Sequence, residues 1–489
     1  MKTFSEVIEM KKTMIQAFEW YINREDKHYV RLTQQLQELS DLGINQVWLP
    51  PAYKGHHGDN DSGYGVYDLY DLGEFDQKGS VSTKYGDYEE YMNLIENLKC
   101  FGMDIIVDVV LNHRIGADGV ESVWAREVDF NNRFLEKGVR EIEAWTRFDF
   151  PGRNGKYSEF TWNKAHFKAI DYDARLNLNG IYLFEGKRWD MLVDDENFNY
   201  DYLMGADVDF NHIEVQQELL NWMHWYYDLV GFNGVRLDAV KHIDAKFFKE
   251  ALTMLRELDP EIYAVGEYWS GDLKVLHDYL MDVDFSMQLF DVPLHFNLYH
   301  ASLNDTYDLR TLYNGTLAMS NPNYAVTFVD NHDTQLGQSL ESWVLDWFKL
   351  HAYAFILLRD VGIPSVFYPD LYGSNHDKMQ KVKYLDKLLL LRKGHMHGSF
   401  YDYMDESNLI GWCFTGNELR EGFVVVLNTG GRTVKRMFVG MFNANKTFVD
   451  CISGRRIEVN EDGIGYFPVD DKQVAIYVNV EGEYDEGIL

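Results

Sequence analysis

Cysteine is scarce. Cys100, Cys413 and Cys451 are the only three in 489 residues, too few and too widely spaced for a disulfide framework or a zinc pattern. A reducing compartment is the expectation. Positive charge is also short: 46 Lys and Arg stand against 78 Asp and Glu, a formal net charge of -32. A surface of that sign repels phosphate backbones and anionic lipids, so neither nucleic acid nor a membrane is an expected partner. No apolar run is long enough to span a bilayer. The opening MKTFSEVIEMKKT lacks the apolar segment of a secretory signal, which points to the cytoplasm. The charge balance does permit a neutral substrate and bound cations. Aromatic residues are plentiful, at 15%. They suit stacking on flat apolar faces, although most will fill the core.

A chain of this length calls for a large domain with additions. Strand patterns over 14–21, 44–49 and 103–111 alternate with helical patterns over 30–42 and 85–100. In the first helix Leu32, Leu36, Leu39 and Leu42 recur at helical spacing before Gly43. MDIIVDVVL over 103–111 is almost wholly apolar, as a sheet covered on both faces requires. The alternation breaks over 114–211, far too long for a connecting loop, and a small domain inserted there is expected. It resumes with a helix over 212–230 and the stretch GFNGVRLDAVKH (231–242). Further strands are expected over 263–267, 286–290, 325–329 and 362–368, with helices over 246–258 and 343–358 among them. About eight strand–helix units close a barrel. Past about 394 the pattern changes to short strands separated by turn signals: 409–415, 422–428, 433–439, 446–450, 463–469 and 474–480. The expected class is α/β. A (β/α)8 barrel of 1–113 and 212–394 would carry a β-rich insertion of 114–211 after strand 3 and an antiparallel β-sandwich of 395–489.

Barrel active sites lie at the C-terminal ends of the strands. Those ends read Glu19–Trp20, Asn112–His113, Asp238 with Lys241 and His242, Glu267–Tyr268–Trp269, and Asn331–His332–Asp333. Acids on three strands facing one opening need a purpose or a partner. A carboxylate pair over an aromatic cleft suits glycoside hydrolysis, in which one acid gives a proton and the other attacks or shields the anomeric carbon. Arg236, two residues before Asp238, would keep that carboxylate ionised, which makes Asp238 the nucleophile. Tyr268 and Trp269 beside Glu267 would favour its protonated form, which makes it the general acid. His113 and His332 are read as hydrogen-bond donors to sugar hydroxyls.

The motifs DVVLNH (108–113), LMGADVDF (203–210), GVRLDAVKH (234–242), AVGEYW (264–269) and FVDNHDT (328–334) occur in this order. With them stand PPAYKG (50–55), GYGVYDLYDLGEFDQKG (63–79), NYDYLM (199–204) and PSVFYPDLYG (364–373). The chain therefore resembles the α-amylase family of barrel glycoside hydrolases, the liquefying bacterial enzymes and their cytoplasmic relatives in particular. The resemblance implies retaining endo-hydrolysis of α-1,4 bonds in starch, glycogen and maltodextrins. A transglycosylating or oligosaccharide-trimming member of the same family is the alternative, and a glucan-binding protein without activity is disfavoured by the intact acids. It also implies a third catalytic acid, Asp333. Substrate contacts fall at Tyr64, His113, Arg236, Lys241 and His332, with Gln16, Trp20, His242 and Trp269 in the cleft. Calcium is implied at Asn112, Asp201, Asp207 and the His242 carbonyl, an all-oxygen set suited to a hard cation. The partner is an α-glucan, and a monomer is expected. One departure stands out. Where the liquefying enzymes carry an aspartate that helps to hold sodium and a second calcium, this chain has Lys168. Asp190, Asp201, Asp207 and Asp209 still match the other acids. The ammonium is expected to stand in for sodium, leaving one calcium.

Overall fold

The computed structural model describes residues 11–374, 376, 379–418, 420–479 and 488. The expectation about the leader falls mainly on 1–10, outside the described residues. Among the described residues no helix is long and apolar enough to cross a membrane.

Eight parallel strands close a barrel: β1 Met14–Gln16, β2 Gln46–Trp48, β3 Asp104–Val109, β4 Gly234–Leu237, β5 Tyr263–Gly266, β6 Gln288–Phe290, β7 Ala325–Phe328 and β8 Ile363–Phe367. Their order round the barrel is the order in the chain, closed between β1 and β8. All the expected barrel strands are present, each shorter than its apolar pattern. The first loses most: its ladder ends at Gln16, although the apolar and aromatic run continues to Tyr21. Residues past the ladder turn into loops, where the strand ends supply chemistry instead of pairing. The register sets Arg236 of β4 opposite Asp108 of β3 and Val265 of β5.

Two compact units can be distinguished, one of Trp20–Leu36 and Val47–Phe290, the other of Met1–Glu19, Gln37–Gln46 and Asp291–Leu489. In the first, helix Ala245–Leu258 shows how sequence makes structure. Asp244 caps it by accepting from the Lys246 N–H, and Phe247, Phe248, Ala251, Leu252 and Leu255 form its buried face. Truncating Leu255 to Ala would cost about 2–5 kcal/mol. The same unit holds an antiparallel six-stranded sheet in the order His113–Arg114, Ala206–Val208, Phe167–Asp173, Leu178–Phe184, Gly119–Val128, Glu136–Arg147.

The second unit contains another six-stranded sheet, in the order Phe400–Glu406, Leu409–Gly416, Glu421–Asn428, Val474–Asn479, Thr447–Asp450, Arg456–Glu458. An antiparallel pair of strands, Thr433–Phe438 with Ile464–Val469, accompanies it. Val424, Val426 and Tyr477 of the sheet share one core with Met437 and Phe467 of that strand pair. Strands Phe400–Glu406 and Arg456–Glu458 lie at the two edges of the sheet and were not expected from sequence, because half-exposed polar residues interrupt their patterns. Residue 480, included in the expected last strand, lies outside the described residues. Cys100, Cys413 and Cys451 are free, and burial pushes the Cys413 and Cys451 thiols up to about 12.

Candidate active site

The site in the first unit is built around one guanidinium. Arg236 is fully buried in β4. Its Nη1 donates to Asp108 at 3.0 Å and to Asp238 Oδ1 at 2.7 Å, and its Nη2 donates to Glu267 Oε2 at 2.5 Å. The rings of Trp48 and Tyr64 flank the cation at 5.0 and 5.8 Å. Asp108 is the anchor of this group. Besides Arg236 it accepts from Trp48 Nε1 at 2.9 Å and from the Tyr64 hydroxyl at 2.8 Å. Burial pushes its carboxyl up, and Arg236, Trp48 and Tyr64 pull against that.

The backbone sets the two other acids beside each other. Beyond the strands, Asp238 N–H donates to the Val109 carbonyl, Glu267 N–H to the Leu237 carbonyl and Val240 N–H to the Glu267 carbonyl. Between Asp238 and Val240 the chain turns through Ala239 at φ 50°, a left-handed conformation that costs an L-residue energy. Its N–H donates to Glu267 Oε2 at 3.2 Å. Asp238 and Glu267 thus share one fork and one turn, and each keeps a small exposed edge, 8% and 7%.

These contacts revise two expectations. Sequence pairs Arg236 with Asp238 to keep that carboxylate ionised, but the guanidinium binds Glu267 as closely, so it does not by itself set the two acids apart. His113 is expected from sequence to donate to substrate. Its Nε2 lies 2.8 Å from the Tyr64 carbonyl, which can only accept, so the ring proton is spent there. Its Nδ1 is buried without a hydrogen bond, and burial lowers its pKa to about 4. His113 is therefore a neutral ring that positions Tyr64. Trp20 stacks with Tyr64 at 6.1 Å and 12°. Lys241 reaches Glu196 at 3.0 Å and the Trp269 carbonyl at 3.3 Å. His242 uses Nδ1 on the Tyr200 carbonyl at 2.6 Å, and burial lowers its pKa to about 3. Hydrogen bonds of Lys241 and His242 thus run to Glu196, Trp269 and Tyr200 and not to the carboxylate pair.

In the second unit Gln16 Nε2 donates to His332 Nδ1 at 2.9 Å. An amide nitrogen can only donate, so the His332 proton sits on Nε2, which faces Asp333 at 3.3 Å. Asn331 Oδ1 accepts from the N–H of Asp333 and of Thr334, both at 2.9 Å. Asp330 fixes the base of this turn: it accepts from Thr334 Oγ1 and pairs with Lys349, which also binds Asp370.

A second buried cation organises the inserted segment. Lys168 Nζ lies 2.8 Å from Asp190, 2.5 and 2.7 Å from the two oxygens of Asp201, and 3.8 Å from Asp207. Burial alone would strip its proton, but Asp201, Asp207 and Asp190 outweigh that and raise its pKa. Next to it, both carboxylate oxygens of Asp207 and both polar atoms of the Asn112 side chain are buried without a hydrogen bond. Burial drives Asp207 well above the usual carboxylate range despite Lys168. Orphaned oxygens of this kind suit a further cation that prefers oxygen ligands. Two other groups bring possible ligand atoms within 4.8 Å of one another, His56 with His57 and Asp61, and His166 with His212 and Glu214.

Asp108 is the functional residue that sequence reasoning did not single out. The available signal is an acid inside the apolar run of the strand DIIVDV, whose other acid, Asp104, stands at its first position. Its meaning depends on the register that places it opposite Arg236.

Two carboxylates held side by side at the strand ends of a (β/α)8 barrel suit a glycoside hydrolase. The model of the alpha amylase catalytic domain matches residues 30–388, and the chain belongs to the α-amylase family. It is 46% identical over 476 residues to an α-amylase of Geobacillus stearothermophilus, covering 95% of this chain and 86% of that one. To the cytoplasmic α-amylase of Escherichia coli K12 it is 39% identical over 486 residues, covering 95% and 98%. Among solved structures, the α-amylase of Geobacillus thermoleovorans complexed with acarbose superposes at a TM-score of 0.62 with 18% identity, covering 97% of this chain and 99% of that one.

Proposed function

We propose that the chain cleaves α-1,4-glucosidic bonds inside starch, glycogen and maltodextrins with retention of anomeric configuration. The observation that carries this reading is the single Arg236 fork that holds Asp238 and Glu267 together. Retention requires the two carboxyls about 5–5.5 Å apart, without room for a water between them. Asp238 attacks the anomeric carbon as Glu267 protonates the leaving oxygen. Glu267 then takes a proton from the water that releases the glycosyl-enzyme. Tyr64, backed by Trp20, is the stacking platform. Asp333 and the Nε2–H of His332 take sugar hydroxyls, Gln16 fixes the His332 tautomer, and Lys241 and Trp269 border the cleft. A blocked maltooligosaccharide assay tests this: wild type should release the reporter, and Asp238→Asn and Glu267→Gln should not. Substantial release by either variant would remove that residue from its role.

One calcium, held by Asn112, Asp207, Asp201 and the His242 carbonyl, completes the reading, with the Lys168 ammonium in the place of a sodium ion. Supporting it are the orphaned oxygens of Asn112 and Asp207 and the reach of Lys168 to three aspartates. The ion would tie strand-end residues to the inserted segment and take no part in bond cleavage. The domain boundaries proposed are those of a barrel of 1–113 and 212–394, an insertion of 114–211 and a β-sandwich of 395–489. A cytoplasmic, monomeric enzyme is proposed. The Escherichia coli relative, named cytoplasmic, and the free cysteines support the compartment.

A further inference from the structure

The loop that leads into Tyr64 carries two adjacent histidines over a buried aspartate. Asp61 is buried, and its Oδ2 lies 2.9 Å from His56 Nδ1. The same Oδ2 accepts from the His57 N–H at 3.3 Å, so it is an acceptor towards His56 as well. The proton therefore sits on His56 Nδ1, and Nε2 is left with its lone pair. A carboxylate that fixes the far nitrogen of an imidazole is the arrangement that prepares a histidine for a metal. His57 is exposed, its ring centroid is 3.5 Å from that of His56, and ligand atoms of His56, His57 and Asp61 all lie within 4.8 Å.

The other histidine cluster lacks this preparation. The backbone N–H of Asn163 donates to His166 Nδ1 at 3.2 Å, so the His166 proton must sit on Nε2, the atom that faces Glu214 at 3.6 Å. A metal at that nitrogen would have to displace the proton and break the backbone contact. Tautomer, and not proximity, separates the two groups.

We propose that His56 and His57, oriented by Asp61, form a site for a borderline divalent cation of the zinc type, which prefers imidazole to oxygen ligands. Water completes the coordination on the exposed side. The site is coupled to the cleft. Asp61 Oδ1 also accepts from the N–H of Gly63 at 2.9 Å and of Gly65 at 3.1 Å, the two residues on either side of Tyr64. Bringing the His57 ring onto the metal pulls on the His57 N–H that Asp61 holds at 3.3 Å. Zinc is therefore expected to inhibit by shifting the turn that aims Tyr64. This inhibitory consequence rests on the hydrolase reading; the binding does not.

The test is a calorimetric titration of the whole chain with zinc chloride in calcium-saturated buffer, followed by the reporter assay with and without zinc. Wild type should take up one zinc per chain. His57→Gln, at an exposed position, and His56→Gln should each weaken binding by about tenfold or more. His212→Gln should bind as wild type. His57→Gln should hydrolyse normally without zinc and resist inhibition by it. Absence of zinc uptake by wild type, or unchanged affinity in both His56→Gln and His57→Gln, would overturn the site. Zinc uptake lost in the variants, with inhibition unchanged, would overturn the coupling to Tyr64. An inactive wild type that still binds zinc through these residues would count against the hydrolase reading alone.

Discussion

Two buried cations in one compact unit face the same arithmetic. Arg236 is surrounded by Asp108, Asp238 and Glu267, and Lys168 by Asp190, Asp201 and Asp207. Each set puts three acids against one positive charge. Arg236 resolves the excess by geometry: a planar fork with separate donors spreads Asp238 and Glu267 towards an opening and anchors itself on Asp108. Lys168 is a point charge with all its acids closed in, and it leaves the oxygens of Asp207 and Asn112 without a donor. The first arrangement leaves carboxylates able to react. The second leaves oxygens without a hydrogen bond, a set that suits a metal.

Breaking the first arrangement should have the largest effect. Glu267→Gln is expected to lower kcat by about 10³-fold or more while oligosaccharide binding, read by calorimetry, persists. Arg236→Lys keeps the charge but loses the fork, and a fall of about 10²-fold is expected, with KM little changed. If Arg236→Lys were as active as wild type, geometry would not be what separates the two clusters. Lys168→Met strands buried carboxylates and should cost about 3–5 kcal/mol in denaturant unfolding. Lys168→Asp, measured with sodium and calcium present, should lose less than Lys168→Met. The reverse order would show that the ammonium does not occupy a cation position.

Metal removal comes next. Dialysed protein should retain about one calcium per chain, and chelation should lower stability by about 3 kcal/mol relative to calcium at 100 times its Kd. Elemental analysis and a thermal melt read both. A count of two, with sodium also bound, would contradict the single-site account.

The smallest effect is on pH, from two histidines of the second unit. Burial lowers the pKa of His295 and of His351 to about 4, whereas unfolded histidines titrate near 6.5. Between about pH 6.5 and 4 the unfolded chain binds protons that the folded chain refuses, so stability is full above that window and falls as pH drops through it. The melting temperature should be lower at pH 5 than at pH 7, and His351→Gln should flatten the difference.

Much of this was legible in the sequence, for physical reasons that differ by element. MDIIVDVVL reads as a strand covered on both faces because the run is short, apolar and rich in Val and Ile. The eight barrel strands could be found that way, and their ends named Asp238, Glu267 and Asp333. Periodicity does not show where a ladder stops, which is why the first strand was read past Gln16. It also failed for Phe400–Glu406, whose half-exposed residues suit the edge of a sheet. Asp108 was hidden because its role arises from register with Arg236, a pairing 128 residues apart. The tautomer of His113 depends on one carbonyl, that of Tyr64, and no local pattern encodes it. Lys168 was the exception among the polar residues. A basic residue amid matched acids was conspicuous in the chain, and its ammonium does reach Asp190 and Asp201.

The most direct test of the Arg236 cluster as a retaining catalytic centre is the anomeric configuration of the first product. Maltoheptaose is mixed with the enzyme in deuterated buffer, and the anomeric protons are followed by NMR before mutarotation erases the signal. Asp238 as nucleophile within reach of Glu267 predicts that the newly formed reducing end appears first as the α-anomer. A first product in the β configuration would place a water where Asp238 is said to attack, and would contradict the account.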